Sequence, residues 1–215
     1  MNIVTVKVGT KYSSDDVNIL FDSIYTDNFY CITDDSTGLY PEIKVIEPEE
    51  GLDGVWNKMA LFKHDLGKVM YLDLDVVIQG SIRSIYNVST FTMVKCFWKP
   101  LDQLHDGWLN NMDHNINSSV MVWKGLECID IWNKFIEDPE YYMTKYHGID
   151  HFIYHEGFKS DFWKQGKIYS RLFGINADSW YNPQKEYFLP AASICLMNGP
   201  TTKKDYNRLQ NDINK

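Results

Sequence analysis

The residues best suited to chemistry are two carboxylates, Asp73 and Asp75, within Tyr71-Leu72-Asp73-Leu74-Asp75-Val76-Val77-Ile78. They flank a single residue, with an apolar run before them and another after. A carboxylate at the end of a buried strand is costly unless it is paired or bound to a cation. No Lys or Arg stands in this stretch to neutralise them. Hard divalent cations take oxygen ligands, and Mg²⁺ or Mn²⁺ commonly bridges protein carboxylates and phosphate oxygens. D-x-D alone is a short pattern, so its apolar context carries the expectation of a metal or phosphate role. The competing reading is a solvated turn between two strands. A second constellation is His147, His151 and His155, spaced by four, with Asp150 and Glu156 nearby. Positions i and i+4 share a helix face, as in H-E-x-x-H zinc sites, but that motif is absent and Gly148 weakens a helix through His147. Surface or locally bonded histidines are the expectation there.

These groups need elements to position them. A β-branched run over 3–8 predicts a first strand. Ser13-Ser14-Asp15-Asp16 offers N-cap chemistry, and Val17, Leu20, Phe21 and Ile24 follow at helical spacing. Further strands are predicted over 29–33, 43–46, 68–72, 76–78, 91–94, 120–123 and 193–197. Helical segments are predicted over 56–62, 126–136 and 148–155. Strands alternating with helices argue for an α/β domain with a largely parallel central sheet. Such sheets bind ligands at the carboxyl ends of their strands. That directs attention to residues 9–12, 73–75, 117–119 and 198–204.

Lys58-Met59-Ala60-Leu61-Phe62, followed by Gly67-Lys68-Val69-Met70-Tyr71-Leu72-Asp73-Leu74-Asp75-Val76-Val77, resembles the core of GT-A-fold glycosyltransferases. It is most similar to family 8, the type of glycogenin and bacterial lipopolysaccharide galactosyltransferases, which includes virus-encoded members. The resemblance implies a single Rossmann-like GT-A domain over 1–200, with helices flanking a largely parallel sheet, and a polar tail over 201–215. It implies sugar transfer from a UDP-sugar donor to a glycan or glycoprotein acceptor, with Mn²⁺ (or Mg²⁺) held by Asp73 and Asp75. Asp73 and Leu74 would face the nucleotide, and Lys58 the diphosphate or sugar. Weaker matches follow in the family's order. Val8, Gly9, Thr10 and Tyr12 stand in the nucleobase loop, where Tyr12 would stack on uracil; core filling is the rival use of that ring. Asn117, Ser118 and Ser119 stand in the segment that contacts the donor sugar. Asp150-His151 matches the family's "DQ" pair in part: Asp150 would bond sugar hydroxyls or act as base, and His151 replaces the Gln. Asn198 stands where the family often has a His metal ligand, and Lys203 or Lys204 would neutralise the leaving diphosphate. Trp98, Trp108 and Trp180 are candidates for packing on an acceptor sugar or for filling the core.

Composition bounds the alternatives. The chain has 215 residues, 21 Lys and Arg against 29 Asp and Glu, and a net charge of −8. That disfavours sequence-independent nucleic-acid binding, which wants a basic stripe. An aromatic content of 15% is too high for a disordered chain. Cys31, Cys96, Cys128 and Cys195 form no C-x-x-C pair, so free thiols are expected rather than a zinc or disulfide framework. With no secretory pattern at the start and no apolar run of about 18 residues, the expectation is a soluble, cytoplasmic protein. A nucleotidyltransferase would want a glycine-rich loop after the first strand, where only Gly9 stands. A non-catalytic sugar-binding module is disfavoured by the intact Asp73 and Asp75.

Overall fold

Seven strands form the central sheet of the computed structural model, which describes residues 1–97, 114–175 and 187–197. In chain order they are β1 (Asn2–Lys7), β2 (Asn28–Thr33), β3 (Lys44–Ile46), β4 (Lys68–Leu72), β6 (Thr92–Lys95), β7 (Ile116–Lys124) and β8 (Asp161–Phe162). They lie side by side as β3-β2-β1-β4-β7-β6-β8. The pairs β1–β2, β2–β3, β1–β4 and β6–β8 are parallel, whereas β7 runs antiparallel to both β4 and β6. The start of β7 therefore meets the carboxyl ends of β4 and β6. A smaller sheet joins β5 (Val76–Ile78), β10 (Ile194–Leu196) and β9 (Ile168–Ser170), in the order β5-β10-β9. It lies directly after the acidic pair and tethers it: the Met197 N–H donates to the Asp75 carbonyl at 3.0 Å.

Burial on both faces explains the near-continuous apolar strands. In β4, Val69 and Tyr71 join one core, while Met70 and Leu72 join the other. β7 divides likewise, with Met121 and Trp123 on one side and Val120 and Val122 on the other. The first core is closed by a 3₁₀ helix over Gly54–Lys63 together with α3 (Ile129–Phe135), α4 (Pro139–Lys145) and α5 (Ile149–His155). The second is covered by α1 (Ser14–Asp22) and the single turn α2 (Arg83–Tyr86). α1 starts as its sequence predicts: the Asp16 carboxylate accepts the Ser13 N–H at 2.7 Å, half of a capping box.

Three differences from the predicted elements matter for function. The helix around residue 58 is 3₁₀, so Val55, Lys58 and Leu61 share one face at the i, i+3 spacing of that helix. β7 begins at Ile116, four residues before its predicted start, which carries residues 117–119 into the strand. Helix α4 was not predicted, although Asp138 as N-cap and Pro139 at the first helical position are its signals. The four cysteines are buried and none forms a disulfide. No helix among the described residues is long and apolar enough to cross a membrane.

Candidate active site

Asp73 follows β4, and its N–H extends the ladder by donating to the Ser119 carbonyl at 2.9 Å. The carboxylate is gripped from the 3₁₀ helix, with Lys58 Nζ 2.7 Å from Oδ1 and 2.9 Å from Oδ2. Tyr71, two residues back in the strand alternation, also donates its hydroxyl to Asp73 Oδ1. Burial alone pushes the Lys58 ammonium down, but Asp73, Asp150 and Asp75 outweigh it and hold it above the ordinary lysine range. Lys58 is thus charged at neutral pH and fixed in place.

A slip between β6 and β7 shapes the next wall. Met93 pairs with Met121, yet Val94 pairs with Asn117, so residues 118–120 of β7 lose β6 as a neighbour. The Ser118 N–H finds Asp150 Oδ1 instead, at 2.9 Å, in the first turn of α5. Ser118 Oγ lies 3.5 Å from Lys58 Nζ, which joins the acidic strand end to the Asp150 helix. The Asn117 Oδ1 accepts the Ser119 N–H at 3.0 Å and holds the bend. Gly148, ahead of Asp150, packs where a Cβ would lie 3.3 Å from Val55 Cγ2. These pieces enclose a cavity of about 240 Å³ lined by Lys58, Asp73, Asn117, Ser118, Asp150 and His151, among others.

Asp75 faces the loop after β1. Its Oδ2 accepts the Tyr12 hydroxyl at 3.2 Å. Burial and the nearby Asp73 charge push its carboxyl up to about 6, with Lys58 and Lys11 opposing. Burial and Asp75 push the Tyr12 hydroxyl far up, so it stays a donor. In the same loop Gly9 takes a positive φ of 72°, a region most side chains avoid, and its N–H donates to Asp34 Oδ2 at 2.9 Å. That bond ties the loop to the end of β2. Thr10 is exposed and Val8 half-buried at the cleft end of β1.

The predicted residues thus fall into two adjoining groups: Lys58, Asp73, Asn117, Ser118, Ser119, Asp150 and His151 around the cavity, and Tyr12 with Asp75 beside it. Leu74, expected to face the nucleotide, has its side chain buried among core residues. Asn198, Lys203, Lys204, Trp98, Trp108 and Trp180 lie outside the described residues. Three further side chains belong here and were not anticipated. Tyr71 was signalled by its alternation with Asp73, and His147 by its spacing of four from His151; His114 lines the cavity through tertiary placement alone. His114 Nδ1 lies 3.0 Å from the Ile116 carbonyl. The rings of His147 and His151 stack with centroids 5.8 Å apart, but no group of three or more His, Cys, Asp or Glu side chains among the described residues is arranged to hold a metal. Asp73 and Asp75 offer hard oxygen donors to a divalent cation as a partial set, with the Asp73 oxygens shared with Lys58 and Tyr71. A larger cleft of about 680 Å³ opens at the other end of the strands, by Lys68, Lys124 and Asp161.

No protein-family model matches this chain, and no curated protein sequence does. Solved structures do resemble it. The galactosyltransferase LgtC, in complex with donor and acceptor sugar analogues, superposes with a TM-score of 0.63 at 13% identity, over 100% of this chain and 95% of that one. A glycosyltransferase involved in glycosylation of the major capsid of PBCV-1 gives 0.51 at 11% identity, over 96% and 98%. Mouse xyloside xylosyltransferase 1 gives 0.51 at 11% identity, over 94% and 98%. At these identities the likeness shows the fold, which is the mixed α/β GT-A architecture expected from the sequence.

Proposed function

We propose that this chain is a metal-dependent glycosyltransferase moving a sugar from a nucleoside-diphosphate sugar, with UDP-sugars as the leading class, to a hydroxyl of a glycan or glycoprotein. The observation that carries this reading is the convergence of Lys58, Asp73, Ser118 and Asp150 on one cavity at the carboxyl ends of the parallel strands. The similar structures named above are sugar transferases, which supports the same class of reaction.

Mn²⁺ or Mg²⁺ bound by Asp73 and Asp75 would supply positive charge to the diphosphate. Asn198 is the proposed third ligand, and Lys203 or Lys204 would add charge. Lys58 presents a fixed ammonium to the donor, where it stabilises charge developing on the departing phosphate oxygen. Asp150 has Oδ1 tied to Ser118 and offers Oδ2 to a sugar hydroxyl, and His151 lies next to it on the cavity wall. Asn117, Ser118 and Ser119 line the sugar side, and Tyr12 supplies a ring for the base within the loop of Val8, Gly9 and Thr10. The acceptor oxygen bonds to the anomeric carbon as the bond from that carbon to the diphosphate breaks, and the hydroxyl proton passes to a carboxylate base, for which Asp150 is the candidate. A panel of nucleotide sugars, scored by thermal shift with Mn²⁺ and by donor hydrolysis, tests the reading. The true donor raises the melting temperature because it binds only the native state. A panel without a single stabilising or hydrolysed donor contradicts it.

A further inference from the structure

We infer that Tyr12 is a positioning residue that couples the cation site to the nucleobase site through its hydroxyl bond to Asp75. The inference rests on the function proposed above. The loop that carries Tyr12 is anchored at both ends: Gly9 is bonded to Asp34 at the end of β2, and Ser13 is bonded to Asp16 in α1. Between these anchors the Tyr12 ring packs against the second core, and Lys11 Nζ sits 4.8 Å from its centroid. The hydroxyl reaches across to Asp75 Oδ2 at 3.2 Å. Among the described residues Asp75 Oδ1 accepts no hydrogen bond, so the Tyr12 bond orients the carboxylate and leaves its other oxygen for a cation. Groups that hydrogen-bond a metal-binding carboxylate fix its direction, and their loss typically costs about 10- to 100-fold in metal affinity. One side chain therefore has two uses. Its hydroxyl aims a metal ligand, and its ring is the surface on which a base would stack. A cation that immobilises Asp75 also immobilises the ring, and a base that immobilises the ring also fixes Asp75. Such coupling is reciprocal by thermodynamic necessity.

Uridine is the discriminating probe, because it has the base but no phosphate through which a cation could hold it. Its affinity is measured by ligand-observed NMR with and without Mn²⁺, in the wild type and in Tyr12→Phe, which keeps the ring and its packing. Mn²⁺ binding alone is read by water-proton relaxation. We expect Mn²⁺ to tighten uridine about fivefold in the wild type and not at all in Tyr12→Phe, a coupling at the low end of the usual range. We expect Mn²⁺ alone to bind Tyr12→Phe about tenfold more weakly. Circular dichroism spectra of the two metal-free proteins should coincide, which excludes a general loss of structure. The inference is overturned if wild-type uridine binding ignores Mn²⁺, if uridine does not bind while UDP does, or if the coupling survives in Tyr12→Phe. UDP with Mn²⁺ separates the two levels. UDP binding without uridine coupling removes only the role of Tyr12, whereas no UDP binding removes the glycosyltransferase reading and this inference with it.

Discussion

Asp75→Asn removes a charge that the metal-free protein holds at a cost, so it should stabilise the fold while destroying the site. Burial and Asp73 raise the Asp75 carboxyl from 3.8 to about 6. For an acid whose folded value is raised, the penalty is complete above pH 6 and fades as pH falls from there toward 3.8. At about 1.4 kcal/mol per unit the shift corresponds to about 3 kcal/mol. Partial exposure and salt screening reduce that to about 1–2 kcal/mol. For a chain of this size, each kcal/mol moves the melting temperature by about 2–4 °C. The assay is thermal unfolding in chelator at pH 7.5. Asp75→Asn should melt about 2–8 °C above the wild type, with the gap about halved at pH 5. Saturating Mn²⁺ should reverse the order, since ligand at 100 times Kd adds about 2.7 kcal/mol to a protein that binds it. A variant that melts lower without metal, or that keeps the full Mn²⁺ response, would refute the reasoning.

Two other perturbations test neighbouring groups. Lys58→Ala leaves Asp73 half-buried with Tyr71 as its remaining side-chain donor among the described residues, so stability should fall by about 2–4 kcal/mol; denaturant unfolding checks this, and Lys58→Arg should recover most of the loss. His64 sits with Nε2 buried and, among the described residues, unbonded, and burial and Lys63 lower its pKa from 6.5. Its folded value being depressed, the stability it contributes is present above pH 6.5 and is lost as pH falls through the lower folded value. His64→Gln should therefore flatten the decline in melting temperature below pH 6.5, and an identical decline in both proteins would show that His64 does not drive it.

The parts of the fold legible in the sequence are those fixed by local chemistry. β4 and β5 have the predicted limits, because fully buried strands read as unbroken apolar runs between turn residues. Asp73 and Asp75 stand out for the same reason, as charges at the end of such a run. The resemblance placed Lys58 at the diphosphate or sugar; its pairing with Asp73, across 15 positions, comes from the geometry. What was hidden depends on distant pairing. The slip that frees Ser118 for Asp150 arises from β6 against β7, and nothing local to Asn117-Ser118-Ser119 announces it. His114 reaches the cavity from the segment before β7, 33 positions from His147, with no spacing that links the two. Helix α4 buries Tyr142, with Tyr146 packing just past its end, too few positions to set a period, though its Asp138-Pro139 start was readable. The hydroxyl of Tyr12 meets Asp75 across 63 positions, and sequence alone offered only its ring.

Calorimetric titration of UDP, with and without Mn²⁺, in the wild type and Asp75→Ala, tests the central claim most directly. The account predicts that UDP binds the wild type in a Mn²⁺-dependent manner and that Asp75→Ala abolishes that dependence. Metal-independent binding, no binding, or an unchanged Mn²⁺ dependence in Asp75→Ala would contradict it.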